Sequence, residues 1–479
     1  MLTPRQRGAL VPVAMFGVVL AVLATWAVGM PLFSSPDEPA HLFKAYGTAH
    51  GQLVGDVEPG WTPNIRRFDI PPVMRTPDLR CYFGNPAQPA NCATGSDPNT
   101  LSSAAVYPPF WYAAVGIPPR VVGRASTQRA YRITAAALCA ALIAVAFHIA
   151  RRSRQRSLTP LMLVGLPPMA VFLAGTVNPN AFEVCAFLVL AALVLHLQHR
   201  HARTAVGGAI VGCIVASVLL SRFASALWVV AYTVVVAALL GWNGLKPFLN
   251  RRFLTPVLGC TAGAAALLVA WSRYAKVQAD DPRTATEMGL FAVARSTLRA
   301  LPTLTRQMIG VLGWLDTELP WFVYAAFAAF AVAIVVGVVW SQDRRLITAT
   351  ALVLLGLVIA PVATNVLTAA RAGLIWQGRY SLPLFVLLGP LGMLGWHRVV
   401  GRRPNLAPWL RWGASVAFAT AEVAAFWQAL RRFCVGANGP IWLSGNLPWH
   451  PGVAPMLLIA VNAVLVMTMC SLLLRSTAR

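Results

Sequence analysis

Charge is scarce in this sequence. Asp, Glu, Lys and Arg together make up 11% of 479 residues, where a soluble domain carries about 25%. With 57% hydrophobic residues and a mean hydropathy of +0.64, a water-soluble globular fold is excluded. Lysine is nearly missing, since Lys44, Lys246 and Lys276 are the only three among 39 basic residues. That arginine bias, with abundant Ala, Val and Leu, reads as a high-GC bacterial composition. No CxxC, zinc-spaced His/Cys set, Walker motif, GxGxxG after a strand or internal repeat occurs, so the motif-borne metal, thiol and nucleotide chemistries have no signal here. A cleavable signal pattern is also lacking. The first apolar run, from about Ala9 to Phe33, outlasts a signal-peptide core and ends in Pro-Asp-Glu-Pro, which predicts a retained signal anchor.

What is present is a series of apolar runs of spanning length, about 17 to 25 residues. They fall at roughly 9–33, 131–150, 158–176, 180–198, 204–220, 223–241, 254–272, 319–340, 346–368, 381–400, 409–430 and 453–474. The pattern predicts an all-α polytopic membrane protein with about twelve transmembrane helices. The segment 104–122, rich in Pro and interfacial aromatics, reads as a helix lying at the surface.

The net charge of +24 does not point to nucleic acid, because the positive charge sits in short connections between the apolar runs. One alternating set of connections and ends, from Arg5/Arg7 to Arg475/Arg479, carries 19 basic residues and one acid, Asp343. By the positive-inside rule that face and both termini are cytoplasmic, in a bacterial inner membrane. The other face has long loops at roughly 34–130, 273–318 and 431–452, holding 12 of the 15 acids. Chemistry is expected there. Cys81 and Cys92 share the first of these loops, in an oxidising compartment, and are expected to pair, closing a loop worth roughly 3 kcal/mol. Cys434 is then an unpaired outer thiol.

The best lead is Ser35-Pro36-Asp37-Glu38. As structure alone it is a capping box, with Ser35 at N-cap, Pro36 first in the helix and Glu38 reaching back to the Ser35 amide. The box explains Glu38 better than Asp37. A helix from Pro36 also aligns Asp37, His41 and Lys44 on one face, a carboxylate, imidazole and ammonium suited to a proton and a phosphate. Gln377-Gly378-Arg379-Tyr380 is the second lead. Arg379 would sit at a helix N-terminus, where the dipole disfavours a cation, and a bound phosphate would remove the conflict. Arg66, Arg67 and Arg80 form a further basic group that ordinary solvation can explain. Asn178 reads as an N-cap and Glu183 as an acid in the first turn of a membrane helix. Asp316 and Glu318 cap the next span or help hold a divalent metal, Mg or Mn, the one cofactor the sequence leaves open. Glu422 lies within a span with no evident partner.

Pro36-Asp37-Glu38-Pro39-Ala40-His41, Tyr107-Pro108-Pro109, Val177-Asn178-Pro179, Gly313-Trp314-Leu315-Asp316-Thr317 and Gln377-Gly378-Arg379-Tyr380 follow one another along the chain. In that order they resemble the bacterial membrane proteins of the domain-of-unknown-function 2142 family, over roughly residues 10–400. That family is similar to the GT-C superfamily of polyprenyl-phosphate-sugar glycosyltransferases. The resemblance implies a GT-C-like domain over 1–400, with juxtamembrane helices in the first outer loop, followed by two helices and the loop 431–452 in 401–479. It implies an inverting hexosyl- or pentosyltransferase with Asp37, aided by Glu38, as base. Arg379 is then a donor-phosphate ligand, and Gln377, Tyr380, His41, Lys44, Arg66 and Arg67 are the further phosphate-binding candidates that the residues themselves suggest. The partners are then a polyprenyl-phosphate sugar, an envelope glycan, lipid or protein acceptor, and membrane lipids, with no nucleic acid. The rivals are a transporter or flippase of lipid-linked sugars and a non-catalytic envelope scaffold.

Overall fold

The computed structural model describes residues 4–196, 203–278 and 285–475. Backbone polar groups in hydrocarbon must be satisfied within the segment, which favours helices, and helices dominate. Their order is α1 (Pro4–Gly29), α2 (Glu38–Ala49), α3 (Pro109–Val121), α4 (Gln128–Arg151), α5 (Pro168–Ala174), α6 (Pro179–Val194), α7 (Ala205–Leu219) and α8 (Ser225–Leu245). They continue as α9 (Arg251–Tyr274), α10 (Leu290–Gly310), α11 (Trp321–Trp340), α12 (Arg344–Ala372), α13 (Leu382–Phe385), α14 (Leu388–Arg402), α15 (Leu406–Val435) and α16 (Pro455–Arg475).

Each of the twelve apolar runs falls on a helical segment, with residues 197 and 198 of the run 180–198 outside the described residues. Among the described residues eight helices are long and apolar enough to cross a membrane, or nine if a bent pair counts as one span. That pair is the 3-10 segment Arg156–Gly165 and α5, bent by 77°. Pro167-Pro168 sits at the bend, where two missing donors and fixed φ angles prevent a continuous helix. The helices α6 and α7 are shorter, at 16 and 15 residues. The long α15 carries Arg411, Glu422, Arg431 and Arg432 within it, which lowers its apolarity.

The segment 104–122 yields α3, 13 residues with Pro118 and Pro119 inside, too short for a span of about 20. It packs beside α2 and α4. One helix escaped the sequence reading. The loop 273–318 contains α10, whose exposed Arg295, Arg299 and Arg306 break the apolar run. Its buried Val293, Thr297, Met308 and Ile309 face α12 and the turn before α13.

Strands are two-residue pairs. In the loop between α2 and α3, β1 (Asp56–Val57), β2 (Arg66–Arg67) and β3 (Leu101–Ser102) form an antiparallel sheet in that order, pairing Asp56 with Arg67 and Arg66 with Ser102. A hairpin of β4 (Val311–Leu312) and β5 (Thr317–Glu318) follows α10. The loop between α1 and α4 has an apolar core of its own, built with flanking residues on Phe33, Phe43, Phe68, Met74, Trp111, Tyr112 and Tyr131. Side chains of this size each contribute about 1.5–3 kcal/mol on burial. Cys81 and Cys92 are joined in a disulfide in this loop, and Cys434 is free and buried.

The C-terminal helices close the assembly. Both pack against the 3-10 segment, α16 also lies on α1, and α15 on α11. From the end of α15, buried Arg432 donates to the Tyr82, Asn85 and Gln88 carbonyls and to Asp316 (3.1 Å), tying the first loop to the β4–β5 hairpin.

Candidate active site

The capping box does not form. Helix α2 begins at Glu38, and Asp37 precedes it in the left-handed region, at φ 62° and ψ 3°. The reason lies in the two prolines. A helix started at Pro36 would place Pro39 fourth, where its missing N–H would cost the first intrahelical hydrogen bond. Starting at Glu38 puts Pro39 in the first turn, where no donor is needed. Asp tolerates the left-handed conformation better than most residues. Its carboxylate caps no backbone amide.

This change separates the two acids. Glu38 is fully buried and forms a two-pronged ion pair with Arg132 of α4, at 2.6 Å on both oxygens. Arg132 also donates to the carbonyls of Ala27, Met30 and Pro31, locking the exit of α1. Glu38 is therefore engaged as a structural anchor and does not face an open site. Asp37 turns the other way and pairs with Nη2 of Arg379. The Asp37 side chain is 41% exposed and that of Arg379 1%.

Arg379 lies in the short 3-10 turn Gly378–Ser381 before α13. The anion that meets its charge here is Asp37, in place of the phosphate expected from the sequence. Its remaining nitrogens, Nε and Nη1, are buried with no hydrogen-bond partner. The turn is held by α10, since Gln307 Oε1 accepts from the Gly378 amide at 3.0 Å. A Cβ at Gly378 would come within 2.0 Å of the Leu304 carbonyl oxygen, so only glycine fits this close approach.

Three other motif segments also converge on residues 33–41. Trp314 donates to the Phe33 carbonyl (3.0 Å), Asn178 to the Pro36 carbonyl (3.1 Å), and Thr176 to Ser35 Oγ (3.2 Å). His41 Nδ1 and the Tyr112 hydroxyl share a hydrogen bond of 2.9 Å, and the Tyr107 ring packs near His41. Asn178 also caps α6, accepting from the Asn180 amide.

Arg222, in the turn between α7 and α8, joins the site unforeseen. It donates to Glu183 at 3.0 Å, and Glu183 also accepts from Ser225 (2.6 Å) and Asn180 (3.2 Å). Read along the chain, Arg222 is one arginine in a tight turn. Its signal was the pairing with an intramembrane acid 39 residues earlier, which linear order hides. The Tyr380 ring is flanked by two guanidinium groups, Arg222 at 4.9 Å and Arg379 at 5.2 Å from its centroid. Beside them lies a cavity of about 320 Å³, lined by Tyr107, Arg222, Phe223, Trp228, Trp376 and Tyr380 among others.

Burial raises the Asp37 carboxyl, but Arg379, His41 and Arg222 outweigh it and leave the group below its usual range. Burial pushes His41 down to about 3, against the pull of Asp37, so the imidazole is neutral at physiological pH. Burial also keeps the Tyr112 hydroxyl protonated, its pKa well above the usual value.

The remaining candidates lie elsewhere. Lys44 is buried and donates to the Leu53 and Ala105 carbonyls, and burial together with Arg66 pushes it down to about 7. Arg66 donates to the Pro63 and Ala275 carbonyls, Arg67 pairs with Glu58 at 2.7 Å, and Arg80 pairs with Asp78 at 2.9 Å. Gln377 precedes the Arg379 turn with its buried Oε1 unpartnered. For a divalent metal the donors do not gather. Asp316 pairs with Arg432 and Glu318 with Arg306, and no group of three or more His, Cys, Asp or Glu occurs among the described residues.

No curated protein matches the chain. Among solved structures, the fold is similar to ArnT from Cupriavidus metallidurans bound to undecaprenyl phosphate. That match has 13% identity and a TM-score of 0.48, covering 97% of this chain and 77% of that one. The family model described as "Predicted membrane protein (DUF2142)" matches residues 20–388. This chain therefore belongs to the DUF2142 family of predicted membrane proteins.

Proposed function

We propose that this protein is a membrane glycosyltransferase that moves a sugar from a polyprenyl-phosphate donor to a hydroxyl of an envelope glycan, lipid or protein, with inversion, at the outer face of the membrane. The reading rests on one observation. A buried arginine with two unpartnered nitrogens stands against an aspartate that caps no amide and is partly open. An orphaned buried guanidinium nitrogen is costly and calls for an anion. Guanidinium forks favour phosphate.

The residues then take distinct roles. The donor phosphate accepts from Nε and Nη1 of Arg379, with Arg222 as the second cation, and the apolar cavity beside Tyr380 takes the first isoprenoid units. Phosphate binding weakens the hold of Arg379 on Asp37 and raises the basicity of the carboxylate. The acceptor oxygen attacks the anomeric carbon as Asp37 takes its proton. The bond from that carbon to the phosphate oxygen breaks, and its electron pair stays on the phosphate, stabilised by the two arginines. Neutral His41, bonded to Tyr112, adds no charge of its own beside Asp37.

The test is Asp37→Asn in purified protein with a polyprenyl-phosphate sugar and an envelope extract as acceptor source. Transfer should fall by about 10²-fold or more, the scale of general-base catalysis, far more than the modest drop in melting temperature expected from losing the partly exposed Arg379 pair. Full transfer by the variant removes Asp37 from the mechanism. Movement of the lipid-linked sugar across liposomes with no transfer product would instead favour a flippase.

A further inference from the structure

A second cavity, of about 470 Å³, lies at the other end of the helices that carry the site. It is lined by Leu239, Leu240 and Gly244 near the end of α8, Asp343 and Arg345 at the start of α12, and His397 and Arg398 near the end of α14. Arg222 and Arg379 precede the opposite ends of α8 and α14, so a helix of some 20 residues, roughly 30 Å, separates the two places. Arg154, Gln155 and Arg203 complete the wall. Four arginines from four segments thus surround one space, with Asp343 the single acid of the lining.

Topology alone explains arginines in these connections but not their convergence on one cavity. The wall is shaped around them. Helix α8 is broken at Gly241, at φ 61°, and a Cβ there would meet the Arg345 guanidinium at 2.9 Å. The break lets Arg345 lie against the backbone and donate to the Leu240 carbonyl at 2.8 Å. Asp343 accepts from the Arg345 backbone amide at 2.9 Å and pairs with Arg398 at 2.5 Å, so the carboxylate of the lining is already engaged by one of the four arginines. Arg203 Nε and Gln155 Oε1 are buried with no hydrogen-bond partner.

We propose that this cavity is a binding site for a phosphate-bearing anion, separate from the site of Asp37 and Arg379. A phosphoryl group supplies acceptor oxygens for the unpartnered Arg203 Nε and offsets the excess positive charge. Its position between helix ends on the arginine-rich face fits a phospholipid headgroup, as basic pockets between membrane helices do. A free phosphate or pyrophosphate offers the same chemistry.

The experiment uses the full chain in detergent, with three probes: phosphatidylglycerol, cardiolipin and inorganic pyrophosphate. Binding is read by native mass spectrometry and thermal shift for the wild type, R154Q/R398Q, and the control R251Q/R252Q, which removes the same charge from exposed positions outside the cavity. The wild type should retain a phosphate-bearing probe, with binding weakened about tenfold or more in R154Q/R398Q and little changed in R251Q/R252Q. Retention of the lipids alone assigns a headgroup, and retention of pyrophosphate alone assigns a soluble ligand. The proposal is overturned if no probe binds, or if both double variants lose binding equally. As R251Q/R252Q leaves the cavity intact, equal loss would mean a diffuse surface-charge effect.

Discussion

Arg379 gives Nη2 to the carboxylate of Asp37, 342 residues earlier, and keeps Nε and Nη1 buried without partners. This pairing makes the arginine both the restraint on the aspartate and the proposed seat of the phosphate.

The first consequence concerns pH. Asp37 must be ionised to act as base, and its carboxyl lies below the usual range because Arg379, His41 and Arg222 outweigh burial. Its contribution to stability is present above the unfolded value and lost as pH falls through the lowered folded value. At limiting donor, where the free protein is read, transfer should therefore stay level from neutral pH down past the ordinary carboxylate range. In Arg379→Ala the main opposing charge disappears, and the acid limb should move to higher pH while donor affinity falls. A pH–rate profile of both proteins checks this, and an unmoved limb with reduced rate would deny the coupling.

Glu38 should behave as a structural residue. Its carboxylate is enclosed by Arg132 in the span α4 and holds the turn that follows α1. Breaking a buried pair costs about 3–5 kcal/mol, so Glu38→Gln should lower the melting temperature and yield. Protein that does fold should retain donor binding. Loss of transfer at unchanged stability would return Glu38 to the chemistry.

The family motifs were legible in the sequence because each is a local run with unusual residues, but their assembly was not. By spacing alone Ser35-Pro36-Asp37-Glu38 forms a capping box. Pro39, three residues after Pro36, decides the outcome by refusing the fourth helical position. Long apolar runs gave the helices, since bilayer thickness sets their length. The helix α10 stayed hidden because its arginines and Pro302 break the apolar run, although one face is buried. Arg222 stayed hidden because its partner Glu183 lies on another helix. Lys44 fits the expected face by spacing, yet its ammonium ends among the Leu53 and Ala105 carbonyls.

Gly378 offers a test of how α10 positions the arginine. A Cβ there collides with the Leu304 carbonyl, and overpacking of this kind costs about 1–3 kcal/mol. Gly378→Ala should lower the melting temperature and weaken donor binding together, while Gly259→Ala, whose Cβ meets nothing within 4 Å, should leave both unchanged. Normal donor binding in the first variant would show that the turn does not depend on this contact.

The Cys81–Cys92 disulfide closes a short loop beside Tyr82, which Arg432 overlies. Replacing both cysteines with serine should cost about 3 kcal/mol through the freed unfolded loop. Differential scanning with and without reductant should show the wild type losing stability on reduction and the double variant unaffected. Insensitivity of the wild type would mean the bond does not stabilise the loop.

The most direct measurement is a cryo-electron microscopy structure of the protein with a polyprenyl phosphate. Density for the phosphate should lie within about 2.7–2.9 Å of the Arg379 Nε and Nη1 atoms, with the chain in the cavity beside Tyr380 and Trp376. A phosphate bound away from Arg379, with the Asp37 pair undisturbed, would contradict the account.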